Sequence, residues 1–285
     1  MESVNVNRIE LEYEVIGSGE PLLLISPVLA DGFAPLLSEP ALADRYQLIR
    51  YHKRGWCGST HTRPPVSIAH HAADAAALLD HLDVPCAHIA GHSSGAAVAL
   101  QLTLDHPGRV HTLMLLELSL LSVPSGEAFL EQLGPALEAY GSGDHPGAFA
   151  KFMSGVSGLD WATCRALLEE RMPGSVAQAI GDADTFFGIE LPSVIEWAFD
   201  AEAAATIEQP VLSVLGTETE QLWVEVAEFL RSSLPKVEES TIEGIGHLLH
   251  IQRPEPVARR MADFMGRHSM SSDSHRSVAA GTPGQ

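Results

Sequence analysis

A turn of small residues between an apolar run and a helix-forming run constrains this chain more than any other feature. Residues 87–90 have the apolar character of a buried strand, and residues 96–102 favour a helix. Between them stands Gly91-His92-Ser93-Ser94-Gly95. Its glycines leave room for a sharp turn in which Ser93 holds a strained backbone and projects its hydroxyl. The sequence therefore predicts a strand, a tight turn and a helix in direct succession.

The same alternation of short apolar runs with helix-length segments continues along the chain. Residues 9–15 alternate apolar and acidic side chains, and with the glycines at 17 and 19 they predict an edge hairpin. Further strands are predicted at residues 22–25, 48–51, 113–116, 210–216 and 237–242. Helices are predicted from Ser67 to about His81 and at residues 256–265. Such alternation is typical of a doubly wound parallel α/β sheet.

The strand rhythm stops between residues 124 and 205, where short helical segments broken by glycine and proline carry several aromatic side chains. We interpret this stretch as a helical cap inserted into a core formed by residues 1–123 and 206–268. Residues 269–285 are rich in serine, glycine and alanine without apolar spacing, which predicts a disordered tail.

Composition excludes several classes of protein. The formal net charge of −20 repels the phosphate backbone of nucleic acid and an anionic membrane surface. No apolar run reaches spanning length and no signal peptide is recognisable, so we expect a soluble protein without membrane contact. The three cysteines show neither CxxC spacing nor the density of a disulfide framework, which favours the cytoplasm.

The Gly-x-Ser-x-Gly turn indicates nucleophilic chemistry. A serine between a strand and a helix is raised above the carboxyl edge of the sheet, and the helix N-terminus favours the negative charge that develops beside it. Ser93 is therefore the candidate nucleophile. The alternative is a serine that merely caps the helix.

A serine hydroxyl needs a base within hydrogen-bond reach. His247 follows the last predicted strand, precedes the terminal helix and lies next to Gly246, so it is the favoured base among 14 histidines. His250 is expected to pack against the same loop. The other histidines lack this position and form no metal-ligand pattern, so no metal is predicted.

The acid that orients the base is less obvious. Thr219 follows the strand after the cap, and its hydroxyl carries no charge with which to orient an imidazolium. Glu117 ends the preceding strand, and parallel strands bring their ends side by side, so its carboxylate can reach the same histidine. A buried glutamate among leucines is costly unless it is paired. We favour Glu117, and Glu218 remains the alternative.

Two backbone amides are needed to hold a developing oxyanion. One is expected from Ser94, directly after the nucleophile. The other is expected from Val28, in the loop after the strand at residues 22–25. Pro27 has no N–H to donate and can only shape the turn.

The turn at residues 91–95, the loop at residues 54–59 and Gly246-His247 resemble the α/β-hydrolase superfamily over residues 1 to about 267. The resemblance implies a mostly parallel eight-stranded sheet with an inserted helical cap. Glu117 after the sixth strand, with no aspartate at residues 216–220, is similar to the zearalenone lactonases and to bacterial hydrolases that carry Leu-Glu at this point. Those lactonases use a Ser-Glu-His triad, which corresponds here to Ser93, Glu117 and His247. The donor loop departs from them, because Ser26-Pro27-Val28 replaces the usual Pro-Asp-Gly.

We therefore expect hydrolysis of an ester or lactone without a cofactor. Aromatic cap residues would line an apolar pocket for a bulky hydrophobic small molecule, such as a zearalenone-like macrolactone. The residues predicted for this pocket are Trp161, Phe186, Phe187 and Trp197. A C–C bond hydrolase and a slow-turnover ligand receptor or signalling protein on the same fold are the alternatives. A homodimer is left open.

Overall fold

The computed structural model describes residues 1–270, and eight strands within them form one sheet in the order β1-β2-β4-β3-β5-β6-β7-β8. Strands β3 to β8 are parallel, whereas β2 runs antiparallel to β4 and β1 antiparallel to β2. The strand bounds are β1 Glu2–Val6, β2 Ile9–Ile16, β3 Glu20–Ile25, β4 Tyr46–Tyr51, β5 Ala87–His92, β6 Val110–Leu116, β7 Val211–Gly216 and β8 Val237–Ile242. This architecture confirms the predicted fold class.

Helices cover both faces of the sheet and fill the long connection between β6 and β7. Those of the core are α1 Pro40–Ala43, α2 Ile68–His81 and α3 Ser94–Asp105, with short 3₁₀ turns at Ala34–Leu36 and Pro107–Arg109. Between β6 and β7 lie α4 Gly126–Gln132, α5 Gly134–Gly141, α6 His145–Ser157, α7 Trp161–Arg171, α8 Ser175–Gly181, α9 Ala183–Thr185, a π-helical turn Phe186–Glu190, α10 Leu191–Glu196 and α11 Ala201–Ala205. After β7 come α12 Gln221–Ser233, α13 Leu249–Gln252 and α14 Pro254–Arg267. Residues 124–205 are called the cap below.

Alternate residues of the central strands enter two different cores. Leu23 and Ile25 of β3 join the apolar cluster that lies under α2, α3 and the cap. Leu22 and Leu24 join the cluster under α1, α13 and α14 on the opposite face. Both faces of the parallel strands are therefore buried, which explains their continuous apolar runs.

The edge of the sheet differs from the prediction. The hairpin partner of β2 is β1, which precedes it and turns at Asn7 and Arg8, both with positive φ. The turn at Gly17 and Gly19 instead sends the chain across to β3. The strand β1 was not predicted, because two of its five side chains are buried and its alternation is too short to identify.

Other local predictions agree with the structure. Ser67 caps α2, because its hydroxyl accepts a hydrogen bond from the His70 amide. The disorder predicted for residues 269–285 concerns a segment that lies almost wholly outside the described residues. Of that segment only Ser269 and Met270 are described, and the Ser269 hydroxyl donates to Glu20.

Candidate active site

The turn after β5 has the strained backbone that the sequence predicts. Ser93 has φ 55° and ψ −122°, outside the regions that L-residues favour. A Cβ on Gly91 would overlap the backbone of Gly95, and one on Gly95 would overlap the carbonyl group of Ile25. The missing side chains therefore let α3 begin directly beside the end of β3, with Ser93 between β5 and α3.

Glu117 continues β6 by one residue and turns its side chain towards the last loop. Its amide donates to the carbonyl of Val214 at 3.1 Å, which extends the sheet register, and its φ is 44°. Its Oε2 lies 2.7 Å from Nδ1 of His247, across 130 residues of sequence. The structure thus brings together the favoured acid and the favoured base.

Two further donors hold the Glu117 carboxylate. The Gly216 amide donates to Oε1 at 2.8 Å, and the Thr219 hydroxyl donates to Oε2 at 2.9 Å. Burial raises the pKa of Glu117 to about 7, against the lowering effect of these two hydrogen bonds. Glu218, the alternative acid, has an exposed side chain. The threonine in the usual position of the acid therefore serves as a donor to a glutamate on the neighbouring strand.

His247 is enclosed by rings. The indole of Trp223 from α12 stacks on its imidazole, with ring centroids 3.9 Å apart and planes 24° apart. His92 packs behind it and bonds through Nε2 to the His247 carbonyl at 2.9 Å, while His250 packs against His92. Burial lowers the pKa of His247 to about 3, so the ring is neutral at neutral pH and its Nδ1–H can donate to Glu117. A neutral imidazole is the form that can accept a proton.

The two residues predicted to supply the oxyanion donors line the same cavity as Ser93. Ser94 is the first residue of α3, so its N–H has no partner within the helix. Val28 is buried in the loop after β3 and lines the same cavity as Ser93 and Ser94. The N-terminus of α3 adds a partial positive charge at this point.

Ser93 and His247 line one cavity with an empty volume of about 630 Å³, a figure that includes the solvent space at its opening. Its wall is almost wholly apolar and comes from the loop after β3, from the cap and from α12. The apolar lining residues include Val28, Leu121, Phe129, Leu133, Phe152, Met153, Val156, Phe186, Leu191, Val194 and Trp223.

The aromatic residues predicted for this pocket separate in the structure. Phe186 lines the cavity, but Trp161 lies at a separate surface depression with Arg165. Phe187 stacks on Tyr140, and Trp197 stacks on Phe199. The expectation that Trp161, Phe187 and Trp197 line the cavity is corrected accordingly. The cap helices are short, so composition alone does not indicate which side of each helix faces the core.

Sequence reasoning missed Ser119, whose hydroxyl lies 3.0 Å from that of Ser93. Its amide also donates to the Ser93 carbonyl at 3.2 Å, and its side chain lines the cavity. A polar residue two positions after Glu117, at the edge where catalytic groups gather, was the available signal. Trp223 was missed because a tryptophan in an amphipathic helix is typical of plain core packing.

Within residues 1–270, no group of three or more His, Cys, Asp or Glu side chains is arranged to hold a metal ion. In the same part of the chain, every helix is too short or too polar to cross a membrane. Cys57, Cys86 and Cys164 all lie in this part of the chain and form no disulfide there.

The sheet order, the strained serine turn and the histidine loop define one class of protein. The family model described as "alpha/beta hydrolase fold" matches residues 30–254, and the chain belongs to that family. Among curated proteins, a putative carbamate hydrolase RutD of Caulobacter vibrioides is 35% identical over 111 residues, or 36% of this chain. The chain covers only 40% of the length of that relative.

Solved structures resemble the chain over almost its whole length. The structure titled "Est816 as an N-Acyl homoserine lactone degrading enzyme" has a TM-score of 0.71 and 25% identity, and the match covers 92% of this chain and 100% of that one. The enol-lactonase from Burkholderia xenovorans LB400 has a TM-score of 0.74 at 20% identity, covering 93% and 100%. The second likeness concerns the fold alone.

Proposed function

We propose that this protein is a serine hydrolase that cleaves a carboxylic ester or lactone. The observation that carries the proposal is that Ser93, on its strained turn, and His247, bonded to the buried Glu117, line one apolar cavity. The lactone-degrading protein among the structural relatives and the carbamate hydrolase among the curated ones support hydrolysis of an acyl group as the reaction class.

In the proposed mechanism, Nε2 of His247 takes the proton of Ser93 while Oγ attacks the substrate carbonyl carbon. The negative charge on the carbonyl oxygen is held by the amides of Ser94 and Val28. When the tetrahedral adduct collapses, the histidine gives its proton to the leaving alkoxide. Water then attacks the acyl-enzyme by the same route and releases the acid.

Glu117 acts through the other nitrogen of His247. Its carboxylate accepts Nδ1–H, which fixes the tautomer that leaves Nε2 free to accept a proton, and it stabilises the imidazolium that forms. The buried position strengthens this interaction, because little water competes for the carboxylate.

The substrate we propose is hydrophobic and of moderate size, and a zearalenone-like macrolactone is one example. The apolar wall of the cavity supports this class. Within residues 1–270, the polar groups of the lining belong to serines, histidines and the indole of Trp223, so a charged acyl chain would find no side chain of opposite fixed charge there.

The test is turnover on a panel of p-nitrophenyl esters, an N-acyl homoserine lactone, zearalenone and an aryl carbamate, together with labelling by a serine-directed phosphonate. We expect ester or lactone turnover that Ser93→Ala abolishes. If only the carbamate is turned over, the ester or lactone assignment is wrong and the substrate is a carbamate. Labelling of Ser93 without turnover would favour the receptor alternative, and no labelling would refute the nucleophile.

The acid is tested by a matched pair. Glu117→Gln keeps the shape but removes the charge that orients His247, so kcat is expected to fall roughly 100- to 10,000-fold. Glu218→Gln changes an exposed neighbour of Thr219 and is expected to alter kcat by less than about twofold. The opposite ranking would reject Glu117.

A further inference from the structure

A buried ion pair joins the cap to the core beside Ser94. Lys53 Nζ lies 2.6 Å from Glu190 Oε1, and the Trp56 indole N–H donates to Glu190 Oε2 at 2.8 Å. Glu190 is 1% exposed and Lys53 3% exposed. Lys53 and Trp56 follow β4 in the core, whereas Glu190 ends the π-helical turn of the cap. A cap carboxylate is thus held by two core side chains.

The same carboxylate binds the residue after the nucleophile. The Ser94 hydroxyl donates to Glu190 Oε1 at 2.5 Å, so that oxygen accepts from both Ser94 and Lys53. Fixing this hydroxyl fixes χ1 of Ser94 and restrains its Cα, which carries the amide proposed to hold the oxyanion.

Stability alone does not account for charges at this place. Replacing a buried ion pair by apolar side chains of similar volume is often neutral or stabilising, so the pair is weak evidence for a structural role. A carboxylate next to an oxyanion hole would also oppose the developing negative charge. The positive charge of Lys53 offsets the negative charge of Glu190 at Oε1, the oxygen that accepts from the Ser94 hydroxyl.

Glu190 stays ionised despite its burial. Burial acts to raise its pKa, but the nearby positive charge of Lys53, with hydrogen bonds from Lys53 and Ser94, holds the pKa below its usual value. The carboxylate can therefore accept all three hydrogen bonds at neutral pH.

We propose that Glu190 is a positioning residue for the oxyanion hole, acting through the Ser94 hydroxyl with Lys53 as its counter-ion. The inference rests on the proposed hydrolase function, because it assigns a support to the Ser94 amide. Its consequence is that a residue of the cap contributes to the chemistry of the core.

Three variants of the full chain separate positioning from packing. Ser94→Ala removes the hydroxyl but keeps the amide and the ion pair. The double variant Lys53→Met with Glu190→Leu replaces the pair by apolar side chains, and it leaves both the Ser94 hydroxyl and the Trp56 indole N–H without their acceptor. The triple variant combines all three substitutions.

A matched control comes from the neighbouring pair Arg54 and Asp74. Arg54 Nε lies 2.6 Å from Asp74 Oδ2, and Asp74 is 1% exposed, but its carboxylate accepts from Arg54 and Asn7 rather than from Ser94. Arg54→Met with Asp74→Leu therefore replaces a neighbouring pair, whose carboxylate is equally buried and whose arginine side chain is 11% exposed, without releasing Ser94.

The measurements are kcat and KM on p-nitrophenyl butyrate, and the affinities for a trifluoromethyl ketone and for the corresponding alcohol. Ser93 Oγ adds to the ketone carbon, its proton passes to His247, and the resulting oxyanion depends on the hole; the alcohol forms no oxyanion. Loss of an oxyanion donor outright costs about 100- to 1,000-fold in kcat, and we expect roughly tenfold for a donor that is loosened but present.

If Glu190 positions Ser94, the single and double variants each lose about tenfold in kcat and in ketone affinity, with KM and alcohol affinity within about twofold. The triple variant is then no worse than either, because all act through one contact. The control keeps its kcat within about twofold.

Three results would overturn the inference. Wild-type kcat in the double variant would show that the pair only packs, and losses that multiply in the triple variant would show that Ser94 and Glu190 act independently. If Ser94→Ala raises KM and weakens the affinity for the alcohol as much as it lowers kcat, ground-state binding is affected and the positioning role is wrong. Wild-type protein that is neither active nor labelled by phosphonate would instead refute the hydrolase proposal, and this inference with it.

Discussion

The hydroxyl of Thr219 should set the pH at which this site becomes active. Burial raises the pKa of Glu117 to about 7, while the hydrogen bonds from Gly216 and Thr219 act to lower it. Thr219→Val removes the donor that lies 2.9 Å from Oε2 and preserves the branched shape. The carboxylate loses a stabilising contact, so its pKa must rise further.

The magnitude follows from the strength of one hydrogen bond to a charged group. Such a bond is worth about 1.5–3 kcal/mol, and each pKa unit corresponds to about 1.36 kcal/mol. Because Thr219 is half-buried, water can replace part of the lost contact, and we take the lower end. The expected shift is about one pH unit upward.

The assay is kcat/KM against pH on a p-nitrophenyl ester. Activity needs the carboxylate to accept Nδ1–H from His247, so the acid limb reports an apparent pKa of that pair. A limb that moves from about pH 7 to about pH 8 makes the variant about tenfold slower than wild type at pH 6 and nearly equal to it at pH 9.

The control is Thr217→Val. Thr217 lies two residues earlier in the same loop, and its hydroxyl accepts from the Gly244 amide rather than contacting Glu117. The acid limb of the pH profile of Thr217→Val should not move. An unmoved limb in Thr219→Val, or one that moves to lower pH, would refute the reasoning. A loss of rate that is equal at every pH would show that Thr219 matters for geometry and not for charge.

Two more predictions concern the frame and the wall of the site. Gly95→Ala places a Cβ against the Ile25 carbonyl, so α3 must shift away from β3. We expect kcat to fall more than about 100-fold. The control is Gly108→Ala, which has open space around it and should keep both its circular dichroism spectrum and its activity. Phe152→Leu enlarges the cavity beside Phe186, 4.5 Å away between ring centroids. We expect the ratio of kcat/KM for an octanoate ester to that for an acetate ester to rise about tenfold. An unchanged ratio would place the acyl chain elsewhere.

Local sequence patterns predicted the fold class and the position of the nucleophile. The strand, turn and helix at residues 87–102 follow from the local apolar spacing and the glycines alone. This unit indicates a parallel sheet whichever strands pair with it. The strand-end positions of Glu117 and His247 could also be predicted, because parallel strands end at one edge. The short edge strand β1 could not, since its pairing with β2 decides its conformation.

The side-chain contacts within the cap and the site were decided by tertiary structure alone. The bond from Thr219 to Glu117 spans 102 residues of sequence, and that from Lys53 to Glu190 spans 137. Neither leaves a periodic signal, because a single side-chain contact imposes no spacing on the residues around it. Glu190 gave one weak hint, as an acid within an apolar stretch that is costly to bury unpaired. Sequence thus determined the frame and the reacting serine, whereas packing of the cap on the core decided the partners of the carboxylates around it.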